Sequence, residues 1–350
     1  MVLHQIIAGA APHDAITDHA LRLRVWLHER DITSEIYAGH IETGYESPIR
    51  PLHSYRDQGE SHLIYHHGLG SDVADTVIAI GKPLILIYHN VTPHHFFSGI
   101  DPAKAAASQR GRAQLAQLQP QTAIALGISA VNTAELQANS FTQTAVLPIA
   151  LEPELYRFET SSDIVARKGD RPILLFVGRL APNKRQEDLV KLLYAYQQIE
   201  PHAQLALVGN RWSKDYVNWI NTLASQLGVQ QSLWLPGRVS QADLVSYYRN
   251  ANLYISMSEH EGFGKPYLEA MHHQLPILAF QEPGTTDTLG SAGVQFKEKN
   301  FAGLAELIDL ILNDRPWQIR LVQQQTERLA RFSPAVVKQQ FAQILTQLNL

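Results

Sequence analysis

The sequence predicts an α/β protein built as two similar units, each a mainly parallel sheet covered by helices on both faces. Three observations carry this. Short apolar runs alternate with helical stretches along the whole chain, the pattern of βαβ units. A breaker-rich stretch from Glu152 to Arg171 interrupts the alternation near the middle. With 350 residues, 45% of them hydrophobic, the chain is long enough and apolar enough for two cores.

The elements follow in order. Val2–Ala8 reads as a strand and 14–29 as a helix carrying Leu21, Val25 and Leu27. Short strands are expected at Ile36–Ala38, His62–His67 and Leu84–Tyr88, with a helix near Ser71–Ile80. Ala103–Leu118, rich in Ala and Gln, reads as helix, and Thr122–Leu126 and Ala145–Ile149 as the last strands of a first domain, 1–155. After the linker a second domain, 170–332, has strands at Ile173–Val177, Gln204–Val208, Ser232–Leu235, Leu253–Met257, Ile277–Phe280 and Val294–Phe296. Helices fill Arg185–Ile199, Lys214–Leu227, Gln241–Asn250 and Pro266–His273. Three more end the chain, the last starting at Ser333 as N-cap with Pro334 behind it. This final helix, 333–350, is expected to pack back on the first domain.

Composition narrows the function. With 29 Lys and Arg against 33 Asp and Glu the net charge is −4, which argues against a nucleic-acid partner. No cysteine is present, so thiol nucleophiles, Cys-ligated zinc and iron–sulfur clusters are excluded. No apolar run approaches a membrane span, and Met1–Pro12 lacks the basic region of a signal peptide; a cytoplasmic protein is the expectation. G-x-G-x-x-G after the first strand and Gly-Lys-Ser/Thr are both missing, which removes the usual dinucleotide and P-loop readings.

The segment with most chemistry is 258–271, after the strand Leu253–Met257. Glu261 lies in a loop and Glu269 eight residues later, near the start of a helix with Pro266 at its first position. Gly262-Phe263-Gly264 leaves backbone amides approachable, and Lys265, placed at the N-cap, is a poor capping residue. Carboxylates that accept from hydroxyls beside amides that donate to anionic oxygen suit a polyol near a phosphate. A Gly-rich turn with a structural glutamate is the plainer alternative. Earlier, Val177-Gly178-Arg179-Leu180-Ala-Pro-Asn-Lys184 ends a strand and sets one planar guanidinium and one ammonium at the mouth of a helix. Together they suit a diphosphate, a solvated basic loop being the plainer alternative.

On these motifs, Glu261-x7-Glu269 and Gly178-Arg179…Lys184, the chain resembles the retaining GT-B glycosyltransferases of family 4, over nearly its whole length and most densely from Pro172 to Phe296. The resemblance implies two Rossmann-like domains facing each other across a cleft. It places Glu261 by the donor sugar, Glu269 on the ribose, and Arg179 and Lys184 on the donor diphosphate. Gly209, and Arg238-Val239 where the family's backbone reads the base, fall at further strand ends. Gly284–Asp287 matches a loop lining the sugar–diphosphate pocket. In the first domain, Gly9 matches a loop that approaches the diphosphate, and Asp14 a pattern of a polysaccharide-associated subgroup, although Asp14 reads equally well as a helix N-cap. His89 matches a donor-sugar contact, and the loop His94–Phe97 is assigned to the acceptor. Ile128 stands where the family usually carries an Asp.

No Asp-x-Asp tripeptide occurs, so no metal and no cofactor are expected; Arg179 and Lys184 would stabilise the leaving phosphate instead. The expected partners are a nucleotide sugar, UDP-hexose favoured over GDP-mannose, and a saccharide or lipid-linked saccharide acceptor, with peripheral membrane contact possible. A nucleotide-sugar 2-epimerase and a non-catalytic nucleotide-sugar binder are the rivals. A zinc site from His62, His66, His67, His94 and His95 is disfavoured, because no H-E-x-x-H or comparable ligand spacing is present.

Overall fold

A computed structural model describes residues 1–211 and 213–350. The chain forms two compact units: Met1–Ala150 together with Pro334–Leu350, and Leu151–Ser333.

The first unit holds seven strands: β1 (Gln5–Ala10), β2 (Ile36–Ile41), β3 (Ile49–Pro51), β4 (Leu63–His67), β5 (Leu84–Tyr88), β6 (Thr122–Gly127) and β7 (Thr144–Val146). Its helices are α1 (Ala15–His28), α2 (Asp72–Ile80), α3 (Pro102–Leu118) and α4 (Ala130–Ala138). The sheet runs β3-β2-β1-β4-β5-β6-β7, and every pairing is parallel. Because helices cover both faces, the central strands are apolar throughout: β5, Leu-Ile-Leu-Ile-Tyr, is wholly buried.

In the second unit, α5 (Ser162–Lys168) precedes β8 (Ile173–Val177), α6 (Gln186–Tyr196), β9 (Gln204–Val208), α7 (Lys214–Gln226), β10 (Leu233–Gly237) and α8 (Gln241–Asn250). There follow β11 (Leu253–Ser256), α9 (Lys265–His272), β12 (Ile277–Phe280), α10 (Pro283–Leu289), β13 (Val294–Phe296), α11 (Phe301–Asn313) and α12 (Arg315–Leu329). The last helix, α13 (Pro334–Gln347), is part of the first unit. The second sheet runs β10-β9-β8-β11-β12-β13, again all parallel. Strand order therefore reverses between β8 and β11, and in such sheets the crevice beyond the carboxyl ends at that point is where ligands bind.

Several elements differ from the sequence reading, each for a local reason. The expected linker is structured: Pro153–Tyr156 is a 3-10 turn and Ser162–Lys168 is α5. The Arg167 guanidinium of α5 lies 4.2 Å above the buried Trp234 ring, a cation–π contact no periodicity announces. The loop expected at Gly284–Asp287 is helix, because Pro283 sits in its first turn and the Glu282 side chain accepts from the Thr285 amide. The short edge strand β3 has too few residues to show alternation. Gly9 lies inside β1, opposite His40, rather than in the loop that follows. Lys265 is not an N-cap: Gly264, left-handed at φ 81°, caps α9, so Glu269 lies just past the first turn. No helix among the described residues is long and apolar enough to cross a membrane.

Candidate functional site

The second unit's strand ends are closed by glycines that the backbone requires. Gly178 follows β8 and donates its amide to Val208, and Gly209 follows β9 and donates to Gly237 at the end of β10. Gly209 has φ 145°, and a Cβ there would sit 2.1 Å from the Gly178 carbonyl oxygen. Only glycine lets these neighbouring turns touch, directly before Arg179. Arg179 is exposed, and its guanidinium has no hydrogen bond or ion pair among the described residues; its carbonyl accepts from Gln186 at 2.9 Å.

Across the switch point, the loops after β8 and β11 are stitched together. The Glu259 amide donates to Asn183, and the Asn183 side chain donates to the His260 carbonyl at 3.2 Å. This alignment brings Lys184 Nζ to 2.6 Å from Glu261 Oε2, with the two side chains only 19% and 12% exposed. Beside the pair, Glu259 is held by Arg185 and Lys299, each at 2.7 Å, and Lys299 also reaches Asp188 at 2.9 Å. Burial would raise the Glu259 pKa, but the hydrogen bonds from Arg185 and Lys299 outweigh it and hold the carboxyl below its ordinary range. The switch point thus carries alternating charges on two rigidly joined loops.

Glu269 has a different setting. It is buried, and its two oxygens accept from Tyr156 at 2.8 Å and Tyr248 at 2.7 Å, with Lys265 Nζ 3.9 Å away. Burial, and then the Glu269 charge, push the Tyr248 hydroxyl well above its ordinary pKa, so it donates at any working pH. Tyr248 stacks on Tyr254, which meets Tyr267 edge to face. The two glutamates of the spaced motif are therefore not joined: one pairs with an ammonium, the other sits in a tyrosine cage. A third carboxylate joins them. Glu282, buried at the start of α10, has its pKa raised by burial and then by the Glu261 charge. Gly284, two residues on, packs so tightly that a Cβ would lie 2.0 Å from the Glu261 carbonyl oxygen.

Comparison with known proteins bears on this unit directly. Residues 157–328 match the family model described as Glycosyl transferases group 1. This stretch is a group 1 glycosyl transferase domain. A GDP-mannose-dependent alpha-(1-6)-phosphatidylinositol monomannoside mannosyltransferase of Mycolicibacterium smegmatis is 27% identical over 146 residues, 38% of this chain and 37% of that protein. The capsular polysaccharide biosynthesis glycosyltransferase CapM of Staphylococcus aureus is 24% identical over 147 residues, 41% of this chain and 38% of that protein. The matched stretch spans about two-fifths of the length of these relatives. Among solved structures, Anabaena HepE in complex with UDP and glucose superposes with TM-score 0.78 at 17% identity, covering 99% of this chain and 100% of that one. The lipopolysaccharide glycosyltransferase WaaG gives 0.75 at 12% identity, covering 98% and 99%. These likenesses establish the GT-B fold.

Within the group 1 domain the other residues named from the sequence occupy varied positions. Arg238 is exposed and Val239 half-buried just beyond β10. The Phe263 ring is buried against Phe332 at 5.6 Å, so only its backbone can face a ligand; its carbonyl accepts from the Thr288 hydroxyl. Gly262 is half-buried, and a Cβ on Gly264 would strike the Tyr267 ring. The sequence reading missed Tyr156, Tyr248 and Glu282. The first two lie 113 and 21 residues from Glu269, and only folding joins them. Glu282 was legible as a cap, since Pro-Gly-Thr follows it.

In the first unit, Asp14 is the N-cap of α1, accepting from the Thr17 amide and hydroxyl, both at 3.0 Å. Gly9 has no steric need to be glycine, as only the His40 carbonyl lies near a Cβ, at 3.9 Å. His89 follows β5 and its Nε2 meets His66 Nδ1 at 3.0 Å. Asn90, left-handed at φ 72°, donates to Asn132 at 2.8 Å and Glu135 at 3.3 Å, which accounts for the 129–135 segment as a brace. Phe97, assigned to acceptor recognition, is a core residue, while His95 is exposed.

Proposed function

We propose that the chain is a glycosyltransferase that moves a hexose, with retention at the anomeric carbon and without a metal at the diphosphate, from a nucleotide sugar to a saccharide or lipid-linked saccharide acceptor in polysaccharide biosynthesis. The observation that carries the proposal is the half-buried Lys184–Glu261 pair at the switch point of a group 1 domain, with Arg179, which has no side-chain partner among the described residues, on the neighbouring glycine turn. In the working complex Lys184 and Arg179 take the two phosphates and stabilise the charge that develops as the sugar–oxygen bond breaks. Glu261, released from Lys184, accepts from the sugar hydroxyls, and Glu269 accepts from the ribose within its tyrosine cage. The acceptor hydroxyl attacks from the face the nucleotide leaves, and the leaving phosphate takes its proton. The curated relatives include GDP-mannose users, whereas HepE was solved with UDP and glucose. Both donors fit, and a UDP-hexose remains favoured.

The test is a thermal-shift screen against UDP, GDP, ADP and their sugars, since a ligand of the native state raises the melting temperature. The stabilising sugar nucleotide is then incubated with saccharide acceptors without added Mg2+ or Mn2+, and the product anomer read by NMR. Stabilisation by a nucleoside diphosphate with acceptor-dependent release of it, and a retained anomer, are expected. Turnover of the donor alone to an epimer, or an absolute need for added Mg2+ or Mn2+, defeats the reading.

A further inference from the structure

The first unit holds a cluster of which the transferase reading uses one member, His89, as a donor-sugar contact. His19 on α1, His66 on β4 and His89 after β5 converge, and each offers a ring nitrogen within 4.8 Å of the other two. His66 and His89 stack at 5.3 Å between centroids, and His19 meets both edge to face, at 5.8 Å and 5.4 Å.

Two details distinguish this cluster from an ordinary histidine core. The first is the tautomer of His66. The Gln5 amide nitrogen donates to the Ala20 carbonyl at 3.0 Å, so the Gln5 oxygen is the atom that faces His66 Nε2, also at 3.0 Å. His66 must therefore carry its proton on Nε2, and its Nδ1 lone pair points at His89. That is the outer-shell arrangement by which proteins orient a metal-bound imidazole. The second is His19. It is 2% exposed, yet neither of its ring nitrogens has a hydrogen-bond partner among the described residues. A buried polar side chain left in this state is destabilising unless something outside the protein completes it.

We infer that His19, His66 and His89 form a three-nitrogen site for a divalent transition-metal ion, Zn2+ by its chemistry, with a fourth position open to water. The ligand set is all imidazole, and the chain has no cysteine. Imidazole suits zinc and its neighbours, whereas Ca2+ and Mg2+ require oxygen ligands. Tetrahedral Zn–N bonds of about 2.0–2.1 Å place ligand nitrogens roughly 3.3 Å apart. The His66–His89 pair is already at 3.0 Å, and His19, whose nitrogens nothing else holds, turns to complete the set. Metal on His89 Nε2 moves the proton of that ring to Nδ1. The site would tie α1, β4 and the end of β5 together, so its role is to fix the first unit rather than to act on the donor diphosphate. It departs from the metal-free expectation of the sequence and stands independently of the transferase reading, because binding is measured with neither donor nor acceptor present.

The experiment uses the full chain, stripped with a chelator, desalted and titrated at neutral pH with Co2+ and then Zn2+. Expected are one saturable equivalent, visible absorption bands of four-coordinate Co2+ that Zn2+ bleaches, and a raised melting temperature with Zn2+. His19→Asn and His89→Asn abolish the equivalent. Gln5→Ala, which frees the His66 tautomer, weakens it about 10- to 100-fold. His62→Asn, at a ring that bonds Ser61 and lies outside the cluster, leaves it unchanged. Circular dichroism verifies folding, and wild type with Gln5→Ala decides the matter if a ligand variant does not fold. No saturable equivalent in the wild type, an equivalent that persists in both folded ligand variants, or one that His62→Asn removes, overturns the inference.

Discussion

Replacing Glu261 with Gln separates affinity from turnover. In the ligand-free protein the Lys184 ammonium is satisfied by Glu261 at 2.6 Å, so a diphosphate must compete with a carboxylate for it. A phosphate oxygen bonded to Lys184 at about 2.8 Å would lie roughly 5 Å from the Glu261 oxygen. Two unit charges at about 5 Å repel by roughly 0.8 kcal/mol in water and roughly 3.3 kcal/mol at an effective dielectric of about 20. The pair is mostly buried but opens to solvent when the diphosphate enters, so a value between these limits and nearer the aqueous one, about 1.4 kcal/mol, applies, and that is about tenfold in affinity. Glu261→Gln is thus expected to bind free UDP or GDP about tenfold more tightly than wild type, while its transfer rate falls because the charged hydroxyl acceptor is gone. Calorimetry at low and moderate salt measures the first effect, and the gain should shrink as salt screens it. The double variant Lys184→Ala/Glu261→Gln should lose the gain altogether. If Glu261→Gln, folded as wild type, binds the diphosphates no better or more weakly, the competition between carboxylate and phosphate is wrong.

Arg179→Ala removes a cation with no hydrogen bond or ion pair among the described residues, so it should leave the melting temperature within a degree or two, about the effect of an ordinary surface change, and lower transfer about a hundredfold or more. Gly209→Ala forces a Cβ to 2.1 Å from the Gly178 carbonyl at φ 145°, and a loss of about 3 kcal/mol or more, seen in urea unfolding of the second unit, is expected. Tyr248→Phe takes one donor from the buried Glu269 carboxylate and should cost about 1.5–3 kcal/mol by the same measurement. Burial first, then His272 and Arg249, lowers the His273 pKa from its ordinary 6.5 to about 4. The unfolded chain then takes up a proton that the folded one refuses, so stability falls as pH drops from 6.5 toward about 4; His273→Gln should remove up to one proton from that slope.

The parts of the fold that local pattern controls were legible in the sequence. Buried parallel strands such as Leu84–Tyr88 are continuous apolar runs, and the last helix begins at Pro334, where Ser333-Pro334 signals a start. What escaped depends on tertiary partners. Residues 152–171 read as linker because breakers interrupt the strand–helix alternation there, yet Tyr156 is buried on Glu269 and Arg167 lies over Trp234. The switch-point loops were located from Gly178-Arg179 and Glu261-x7-Glu269, but not their pairing. That Lys184 meets Glu261 while Glu269 turns to tyrosines follows from the strand order β8-β11, which no residue spacing encodes. The histidine cluster is similar: His66 was considered with its sequence neighbours His62 and His67, whereas the sheet sets it beside His19 and His89.

A crystal structure of the full chain with a bound UDP- or GDP-hexose tests the central claim most directly. The account predicts the two phosphates on Lys184 Nζ and the Arg179 guanidinium, with the Lys184–Glu261 contact broken and Glu261 turned to the sugar. A diphosphate held elsewhere, with that ion pair still closed, contradicts it.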